Sequence, residues 1–463
     1  MTTTTTTVPI ERLRTELKGR VITPQDADYD ALRAVMNGAV DRRPAIIARV
    51  ADAEDVARAI AFAREAGLEI AARSGGHSSV VHGVAEGGLV IDLRDLKGLE
   101  IDPQARTAWA GSGLTAVEYS TAAAEHGLAT SFGDTGSVGL GGLVTGGGIG
   151  YLVRKHGLSI DHLLAAEVVT ADGRIREVDA EAYPDLFWAI RGGGGNFGVV
   201  TRFKLRLEPV DGIVGGMLFL PATPETVEGF IAAAEAAPED LSTIANVMPM
   251  PPMPFVPEEE HGKLVIFGLL AYSGPKERAD EVLAPFRVLA TPIADLLKPM
   301  PYPEIYPPEP ESEEGAEKPT AYARIMFLDR VDRDVAQTIV DRLNASDASM
   351  RVVQLRVLGG AMARVPAGAT AFAHRSSRIM AAVAAFYAGP DDLAVRQAEV
   401  DGLVDELRQT DTGAYVNFVG DEGEAGVRAA YPGKTYDRLA EIKRRYDPGN
   451  VFHMNQNVPP ASA

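Results

Sequence analysis

The 463-residue sequence contains no cysteine, which excludes disulfide bonds, thiolate metal sites and cysteine nucleophiles and leaves the redox compartment open. Basic residues are scarce too, because 45 lysines and arginines stand against 64 aspartates and glutamates, for a net charge of −19. Nucleic acids and anionic membranes are bound through basic patches, so neither is expected as a partner. Long hydrophobic runs are also missing, since no run approaches the roughly twenty residues of a membrane span.

The N-terminus lacks the features of a secretory signal. Met1 is followed by six threonines, with neither a cationic segment nor an apolar core. We therefore expect a disordered N-terminal tail and a cytoplasmic protein. A hydrophobic fraction of 46% with 24% charged residues is typical of a soluble globular chain, and the length predicts two domains.

Glycine, by contrast, is concentrated in two segments, residues 73–78 and residues 133–150. Nine of the eighteen residues in the second segment are glycine, yet Leu140, Leu143 and Val144 make it too apolar for a solvated linker. Glycine at this density permits positive φ and leaves consecutive backbone N–H groups free to converge on one anion. A bound pyrophosphate would satisfy these groups.

The first glycine-rich segment follows a predicted strand. Residues 45–50 have the pattern of a buried strand, residues 52–66 that of an amphipathic helix with an acidic first turn, and residues 68–72 that of a second strand. The second strand delivers residues 73–78 at its carboxyl end, where ligands commonly bind.

Further elements are predicted along the rest of the chain. Residues 163–170 and 174–178 form a hairpin across Asp172-Gly173, followed by a helix over 184–191 and a strand over 199–207. Beyond residue 208 the pattern predicts a sheet covered on one face by helices. Its predicted strands are 215–220, 264–272, 321–327 and 352–357, and its predicted helices are 224–236, 276–289, 334–344 and 391–409.

Two segments of low complexity interrupt this alternation. Residues 248–257 are rich in methionine and proline, and we expect them to pack irregularly over the entrance to a substrate site. Residues 298–317 are rich in proline and glutamate, and the acidic run from Glu309 to Glu314 is expected to be a solvated loop.

Four blocks of the sequence together resemble one family. They are Arg73-Ser74-Gly75-Gly76-His77-Ser78, residues 133–161, residues 191–201 and residues 446–460. In this order they resemble the berberine bridge enzyme-like flavoproteins, which are FAD-linked oxidases of the vanillyl-alcohol oxidase type.

The resemblance implies an α+β fold with a PCMH-type FAD-binding domain in two parts. Residues 1–208 would form its N-terminal part, and residues 414–463 would return to complete it. Between them, residues 209–413 would form an inserted substrate-binding domain of antiparallel sheet covered by helices. The substrate would lie over the free face of that sheet.

The resemblance also implies FAD as the cofactor, joined to the protein by one covalent bond. By position, His77 matches the histidine that such enzymes link to the 8α-methyl group of the flavin. Many relatives add a cysteinyl bond, whose position here is Thr135, so a second bond is impossible. The residues expected around FAD are Arg73, Ser74, Gly75, Gly76, His77, Ser78, Gly133, Asp134, Thr135, Gly136, Val138, Gly139, Gly141, Gly142, Gly147, Gly148, Asn196, Gly198, Val200, Asn455 and Asn457.

The chemistry of such an enzyme needs a base beside the flavin. A flavin accepts a hydride at N5, so the substrate C–H lies over the ring and its O–H or N–H proton needs an acceptor. The family draws this base from the substrate sheet or from the strand before the terminal helix, which makes Tyr415 and Asn417 our candidates. Relatives often carry tyrosine or histidine where this chain has Phe418.

Val138 matches a position at which valine accompanies oxidases that make hydrogen peroxide.

The substrate-facing residues allow two interpretations. The predicted strand 379–387 consists largely of small apolar residues, which suits either a pocket for a hydrophobic alcohol, amine or phenol or a plain core strand, with even weight. Four polar residues of this region can face the substrate, and for the two arginines an exposed sheet edge is the alternative. The four are Gln354, Arg356, His374 and Arg375.

Other functions stay open at this point. They are a carbohydrate (oligosaccharide) oxidase, a flavin-dependent dehydrogenase and a flavin-binding protein that has lost catalysis. A nicotinamide-dependent enzyme is disfavoured because residues 146–150 lack the strand, Gly-x-Gly-x-x-Gly and helix context. No metal is predicted, since no two histidines stand four residues apart.

Overall fold

The N-terminal part of the chain begins with a small mixed sheet. The structure, a computed structural model, describes residues 10–38, 40–307 and 320–462. The strand order in this sheet is β1-β2-β4-β3, with β2, β3 and β4 parallel and β1 antiparallel to β2. The strands are β1 Arg20–Ile22, β2 Ile46–Arg49, β3 Ile70–Arg73 and β4 Leu89–Asp92.

A five-stranded antiparallel sheet follows, in the order β5-β6-β10-β8-β9, with β7 and β11 paired beside it. The predicted hairpin across Asp172-Gly173 is present as β8 and β9, and Gly173 takes φ 76°, which glycine adopts without strain. The strands are β5 Leu99–Asp102, β6 Thr107–Gly111, β7 Leu128–Ala129, β8 Leu163–Val169, β9 Ile175–Asp179, β10 Val199–Arg206 and β11 Glu208–Pro209.

The third sheet is the largest and is antiparallel. Its order is β15-β12-β14-β13-β18-β19-β17, with β16 also paired to β12. The strands are β12 Ile213–Pro221, β13 Leu241–Pro249, β14 Leu264–Tyr272, β15 Ala294–Asp295, β16 Lys298–Met300, β17 Ala321–Leu328, β18 Arg351–Val357 and β19 Ile379–Phe386.

Some of the helices begin where the sequence places a side-chain cap. In the helix Ala53–Ala66, the Asp52 side chain accepts from the Asp55 N–H at the start, and Gly67 ends it in the left-handed conformation. The helices are α1 Ile10–Glu16, α2 Tyr29–Arg33, α3 Ala53–Ala66, α4 Ala116–Ala124, α5 Leu140–Gly146, α6 Val153–His156, α7 Pro184–Ile190, α8 Pro224–Ala236, α9 Ala279–Arg287, α10 Arg333–Ala345, α11 Ala361–Arg364, α12 Pro390–Leu407, α13 Gly423–Ala430 and α14 Lys434–Tyr446.

Alternate residues of a strand point to opposite faces of a sheet. One face of the large sheet packs against helices, and the other packs against the rest of the chain. On β18, Val353, Leu355 and Val357 pack with helices α8, α9, α10 and α12 in one core cluster. The opposite face contributes residues such as Ile244 and Met380 to a second cluster, which also contains residues of β8, α7 and α14. The α+β fold and the one-sided helical cover are therefore confirmed.

Several predictions about local structure were wrong. Residues 241–249 form strand β13, which had not been predicted. The strand includes the first two residues of the Met/Pro-rich segment, while residues 250–257 form neither helix nor strand, as expected. Residues 298–300 are strand β16, and Tyr302 and Tyr306 beyond them are buried. The acidic run 309–314 and the N-terminal threonines lie outside the described residues.

Candidate functional site

A cavity of 560 Å³ lies where the glycine-rich segments, the large sheet and the C-terminal segment meet. This volume is within the range of cofactor and ligand sites. Most of the site residues expected from the sequence line it. They are Arg73, Ser74, Gly75, Gly76, His77, Ser78, Gly133, Asp134, Thr135, Val138, Gly139, Gly141, Gly142, Gly148, Asn196, Gly198, Val200, Tyr415, Asn417 and Asn455.

The two glycine-rich segments touch each other backbone to backbone. A Cβ added at Gly75 would lie 2.4 Å from the Gly139 nitrogen, so neither position has room for a side chain. A third segment fixes both loops, because the Ser112 carbonyl accepts from the Ser74 hydroxyl at 2.6 Å and from the Gly141 N–H at 3.1 Å. Residues far apart in sequence thus form one continuous wall of the cavity.

Arg73 supports this wall through a buried network. Its guanidinium donates to Asp92 at 2.8 Å and to the backbone carbonyls of Leu32 and Arg33. Burial lowers the pKa of Arg73, while the charge of Asp92 opposes that shift. These contacts engage both Nη atoms of the guanidinium, so Arg73 ties strand β3, which leads into the loop that carries His77, to Asp92 and to the backbone at Leu32 and Arg33.

Tyr415 lies in a turn and not, as predicted, in a strand. The Phe418 N–H donates to the Tyr415 carbonyl at 2.9 Å, which closes the turn. The Tyr415 hydroxyl accepts from the Gly148 N–H at 2.8 Å and from the Asn417 side-chain amide at 3.0 Å. Gly148 takes φ 79° to present this N–H. Burial raises the pKa of Tyr415, and these two donors act in the opposite direction.

The C-terminal segment closes the cavity through Asn196 and Lys443. The Asn196 side chain accepts from the Val458 N–H at 2.9 Å and donates to the Gln456 carbonyl at 3.2 Å. Lys443 is fully buried, and its ammonium donates to Asp447, to the Asn196 carbonyl and to the Phe452 carbonyl. Residues after helix α14 are thereby held against the cavity wall.

The large sheet contributes Gln354 and Arg356 to the wall. Both lie on β18, between β13 and β19, and Arg356 is only 4% exposed. The interpretation of Arg356 as an exposed edge residue was therefore wrong. Its guanidinium donates to Asp134 in the second glycine-rich segment and lies over the Phe418 ring at 5.4 Å.

Three expected cofactor residues are not part of this wall. A Cβ at Gly136 would meet Val117 and Tyr306, and one at Gly147 would meet the Tyr415 ring from behind. Asn457 is half-buried, and its buried Oδ1 has no partner within the described part of the chain.

The remaining substrate candidates have structural partners instead. The His374 Nε2 lies 3.0 Å from the Ala430 carbonyl, and Arg375 forms two 2.8 Å hydrogen bonds with Asp161. Strand β19 does not line the cavity over the residues that the structure describes, and Met380 packs in the core beneath the sheet. This favours the plain core interpretation of the strand.

Sequence reasoning missed Tyr431 and His82, which both line the cavity. Tyr431 is buried, and its hydroxyl has no partner among described residues. Burial, with the nearby charge of Arg42, lowers the pKa of His82 to about 4, so its ring is neutral at pH 7. The proximity of His82 to His77 in the chain was the available signal, whereas Tyr431 arrives through a long-range contact.

The described residues offer neither a metal site nor a membrane span. No cluster of histidine and carboxylate side chains in the described ranges could hold a metal ion. Within the same ranges, every helix is too short or too polar to cross a membrane.

Comparison with known proteins places this geometry in a family. The model of an FAD binding domain matches residues 44–179, and the model described as berberine and berberine like matches residues 414–459. These two matches contain the glycine-rich segments and the turn that carries Tyr415.

Relatives match along almost the whole chain. The (R)-6-hydroxynicotine oxidase of Paenarthrobacter nicotinovorans is 30% identical over 456 residues, covering 96% of this chain and 97% of that protein. Berberine bridge enzyme-like 17 of Arabidopsis thaliana is 28% identical over 87% of this chain and 83% of its own length. The crystal structure of 6-hydroxy-D-nicotine oxidase from Arthrobacter nicotinovorans superposes with a TM-score of 0.83 at 27% identity, covering 96% of this chain and 98% of that one. The chain therefore belongs to the berberine bridge enzyme-like FAD-linked oxidoreductases.

Proposed function

We propose that this protein is an FAD-dependent oxidase that oxidises a small molecule at a C–H bond next to an alcohol, amine or phenol group. FAD, held by the glycine-rich segments, would supply the redox chemistry by accepting a hydride and returning the electrons to O2 as H2O2. The observation that carries the proposal is the 560 Å³ cavity, where the two glycine-rich segments meet His77 and the Tyr415 hydroxyl. The nicotine oxidases among the relatives carry out oxidations of this class by name.

The residues around the cavity fit FAD. An alanine Cβ at Gly142 would meet nothing within 4 Å, so that part of the wall is open to a ligand. The Tyr431 hydroxyl and the Asn455 side-chain oxygen are buried polar atoms without a partner among the residues described. Buried polar groups are nearly always hydrogen-bonded, and the phosphates, ribityl hydroxyls and ring edge of FAD offer such partners.

We infer further that His77 carries FAD through a single covalent bond. His77 lines the cavity in the loop after β3, at the position of the linked histidine in relatives. Thr135 stands at the position of the second link, and threonine forms no thioether. The other proposed cofactor contacts are the cavity-lining glycines and Asn196.

Tyr415 is the proposed acceptor of the substrate O–H or N–H proton. Two N–H donors point at its oxygen, so they stabilise the phenolate form that a base requires. We assign Asn417 a role through Tyr415, because its side-chain amide donates to that hydroxyl at 3.0 Å. Asn417 is therefore a positioning residue.

Replacing Tyr415 by phenylalanine is expected to lower the rate of peroxide formation by about 100-fold or more, the usual contribution of a general base. Burial raises the pKa of Tyr415, so wild-type activity should increase with pH through neutrality, and this slope should vanish in the variant. The measurement is steady-state peroxide production from a panel of alcohols, amines and phenols.

The control for this experiment is Tyr322→Phe. Tyr322 donates to Asp401 at 3.1 Å and does not line the cavity, so its rate and pH profile should match the wild type. An unchanged rate in Tyr415→Phe, with flavin content equal to wild type, would assign the base to another residue.

Val138 supports the oxidase assignment and offers a test of it. It lines the cavity and is half-buried in the second glycine-rich segment. Photoreduced protein should regain its yellow colour within seconds in aerated buffer. Val138→Leu should slow this reoxidation by about tenfold, equivalent to about 1.4 kcal/mol in the barrier. Val117→Leu adds the same volume near Gly136, outside the cavity, and should reoxidise normally. Wild-type protein that stayed reduced for minutes would be a dehydrogenase.

A further inference from the structure

A chain of hydrogen-bonded polar side chains leads from the large sheet to the cavity, with Asn246 and Arg356 buried and Gln354 half-buried between them. The Asn246 amide donates to the Phe267 carbonyl at 3.0 Å, and its oxygen accepts from Gln354 at 2.8 Å. The Gln354 oxygen accepts from the Arg356 guanidinium at 3.0 Å and 2.7 Å. Arg356 donates to Gln354, Gln354 to Asn246, and Asn246 to the backbone of the neighbouring strand. These hydrogen bonds within the sheet fix the orientation of the Arg356 side chain.

The Arg356 guanidinium is held on three sides at the cavity wall. Gln354 and Asp134 accept from its Nε and Nη2, and its flat face lies over the Phe418 ring at 5.4 Å. Its Nη1 is buried and has no partner in the part of the chain that the structure describes. An arginine that is fixed in this way and keeps spare N–H donors is well suited to bind an oxyanion.

We propose that Arg356 binds a carboxylate of the substrate, so that this enzyme acts on alcohols or amines that also carry a carboxylate. This inference rests on the proposed function and narrows its substrate class. Burying a guanidinium is costly unless the charge is well paired, and Asp134 is its single carboxylate partner here. A substrate carboxylate on Nη1 would use the donors that Asp134 and Gln354 leave free.

The position of Arg356 connects recognition with chemistry. Phe418 belongs to the same turn as Tyr415, and their ring centroids are 5.3 Å apart. Arg356 and Tyr415 both line the cavity and both contact the Phe418 ring, so the two groups lie at the same end of the cavity. A carboxylate on Arg356 would therefore place the neighbouring C–OH or C–NH group of a short substrate close to the proposed base.

The rival explanation for the spare donors is a structural water. Arg356 also borders a void of about 10 Å³ beside Tyr151, whose buried hydroxyl likewise has no partner among the residues described. A void of this size holds about one water. If a water there satisfied Nη1, carboxylate affinity would not depend on Arg356.

The test uses the flavin-loaded protein and benzoate as the probe, with neutral benzamide for comparison. Binding is measured by calorimetry and by the change in flavin absorption, neither of which requires turnover. We expect benzoate to bind at least tenfold more tightly than benzamide, and Arg356→Gln to weaken benzoate at least tenfold while leaving benzamide unchanged. Asp134→Asn removes the competing carboxylate and should tighten benzoate binding, which keeps the test valid if Arg356→Gln folds poorly.

Arg202→Gln is the matched control. Arg202 also lies over an aromatic ring, Trp109 at 4.5 Å, and pairs with Glu167, but it is outside the cavity. The Arg202→Gln variant should bind benzoate with the same affinity as the wild type. Two results would overturn the carboxylate site: wild-type protein that binds benzoate no better than benzamide, or an Arg356→Gln variant that binds benzoate as tightly as the wild type. If that protein is yellow and its flavin is reduced by a substrate, the proposed oxidation still stands.

Discussion

Alanine at Gly139 is expected to abolish flavin binding and to destabilise the fold. Gly139 has φ −72°, which alanine adopts freely, so the effect is purely steric. The new Cβ would lie 2.0 Å from the Ser74 hydroxyl and 2.3 Å from the Gly75 nitrogen. The hydroxyl can rotate away, but the backbone nitrogen cannot, so the two glycine-rich segments must separate.

We expect the free energy of unfolding to fall by about 1–3 kcal/mol, the usual cost of overpacking. Flavin content should fall to near zero, since the wall between the segments would be open. Urea unfolding and the ratio of flavin to protein absorbance measure the two effects. Gly98→Ala is the control, because a Cβ there meets nothing within 4 Å. A Gly139→Ala protein with full flavin content would show that close contact between the segments is dispensable.

Replacing His77 by alanine is expected to convert covalently bound flavin into released flavin. Wild-type protein precipitated with acid should give a yellow pellet and a colourless supernatant, because a covalent bond survives unfolding. In His77→Ala the colour should move entirely into the supernatant, since Thr135 offers no second attachment. Absorbance of the two fractions measures the result.

His82→Ala is the matched control for this experiment. His82 lines the same cavity in the same loop, and its ring is neutral because burial lowers its pKa to about 4. Its pellet should stay yellow. A yellow His77→Ala pellet with a colourless His82→Ala pellet would move the link to His82, and a colourless wild-type pellet would mean that FAD is held without a covalent bond.

Local signals in the sequence were sufficient where short-range chemistry fixes the structure. Asp52 and Gly67 set the two ends of helix α3, because each forms hydrogen bonds with backbone groups of the adjacent helical turn. The Asp172-Gly173 turn likewise fixes the hairpin of β8 and β9. The glycine-rich segments were recognisable for the same reason, since the absence of side chains is visible in the sequence itself.

Predictions from the sequence were wrong where long-range contacts decide the structure. Strand β13 contains Asn246, which is a common turn residue, but its amide donates to the Phe267 carbonyl of the neighbouring strand. The family resemblance placed Tyr415 to Phe418 in a strand, whereas contacts with Gly148 and Leu143 hold these residues in a turn. Arg356 was assigned correctly only as one of two alternatives, because its partner Asp134 is more than two hundred residues away in the chain.

The buried ammonium of Lys443 also sets an order for the assembly of the cavity. It joins the carbonyls of Asn196 and Phe452, and 247 residues separate Lys443 from Asn196 in the chain. The strand and loop that carry His77 lie more than one hundred residues before Asn196. This wall of the cavity is therefore complete only after distant segments have packed together, so capture of a cofactor is expected to follow long-range folding.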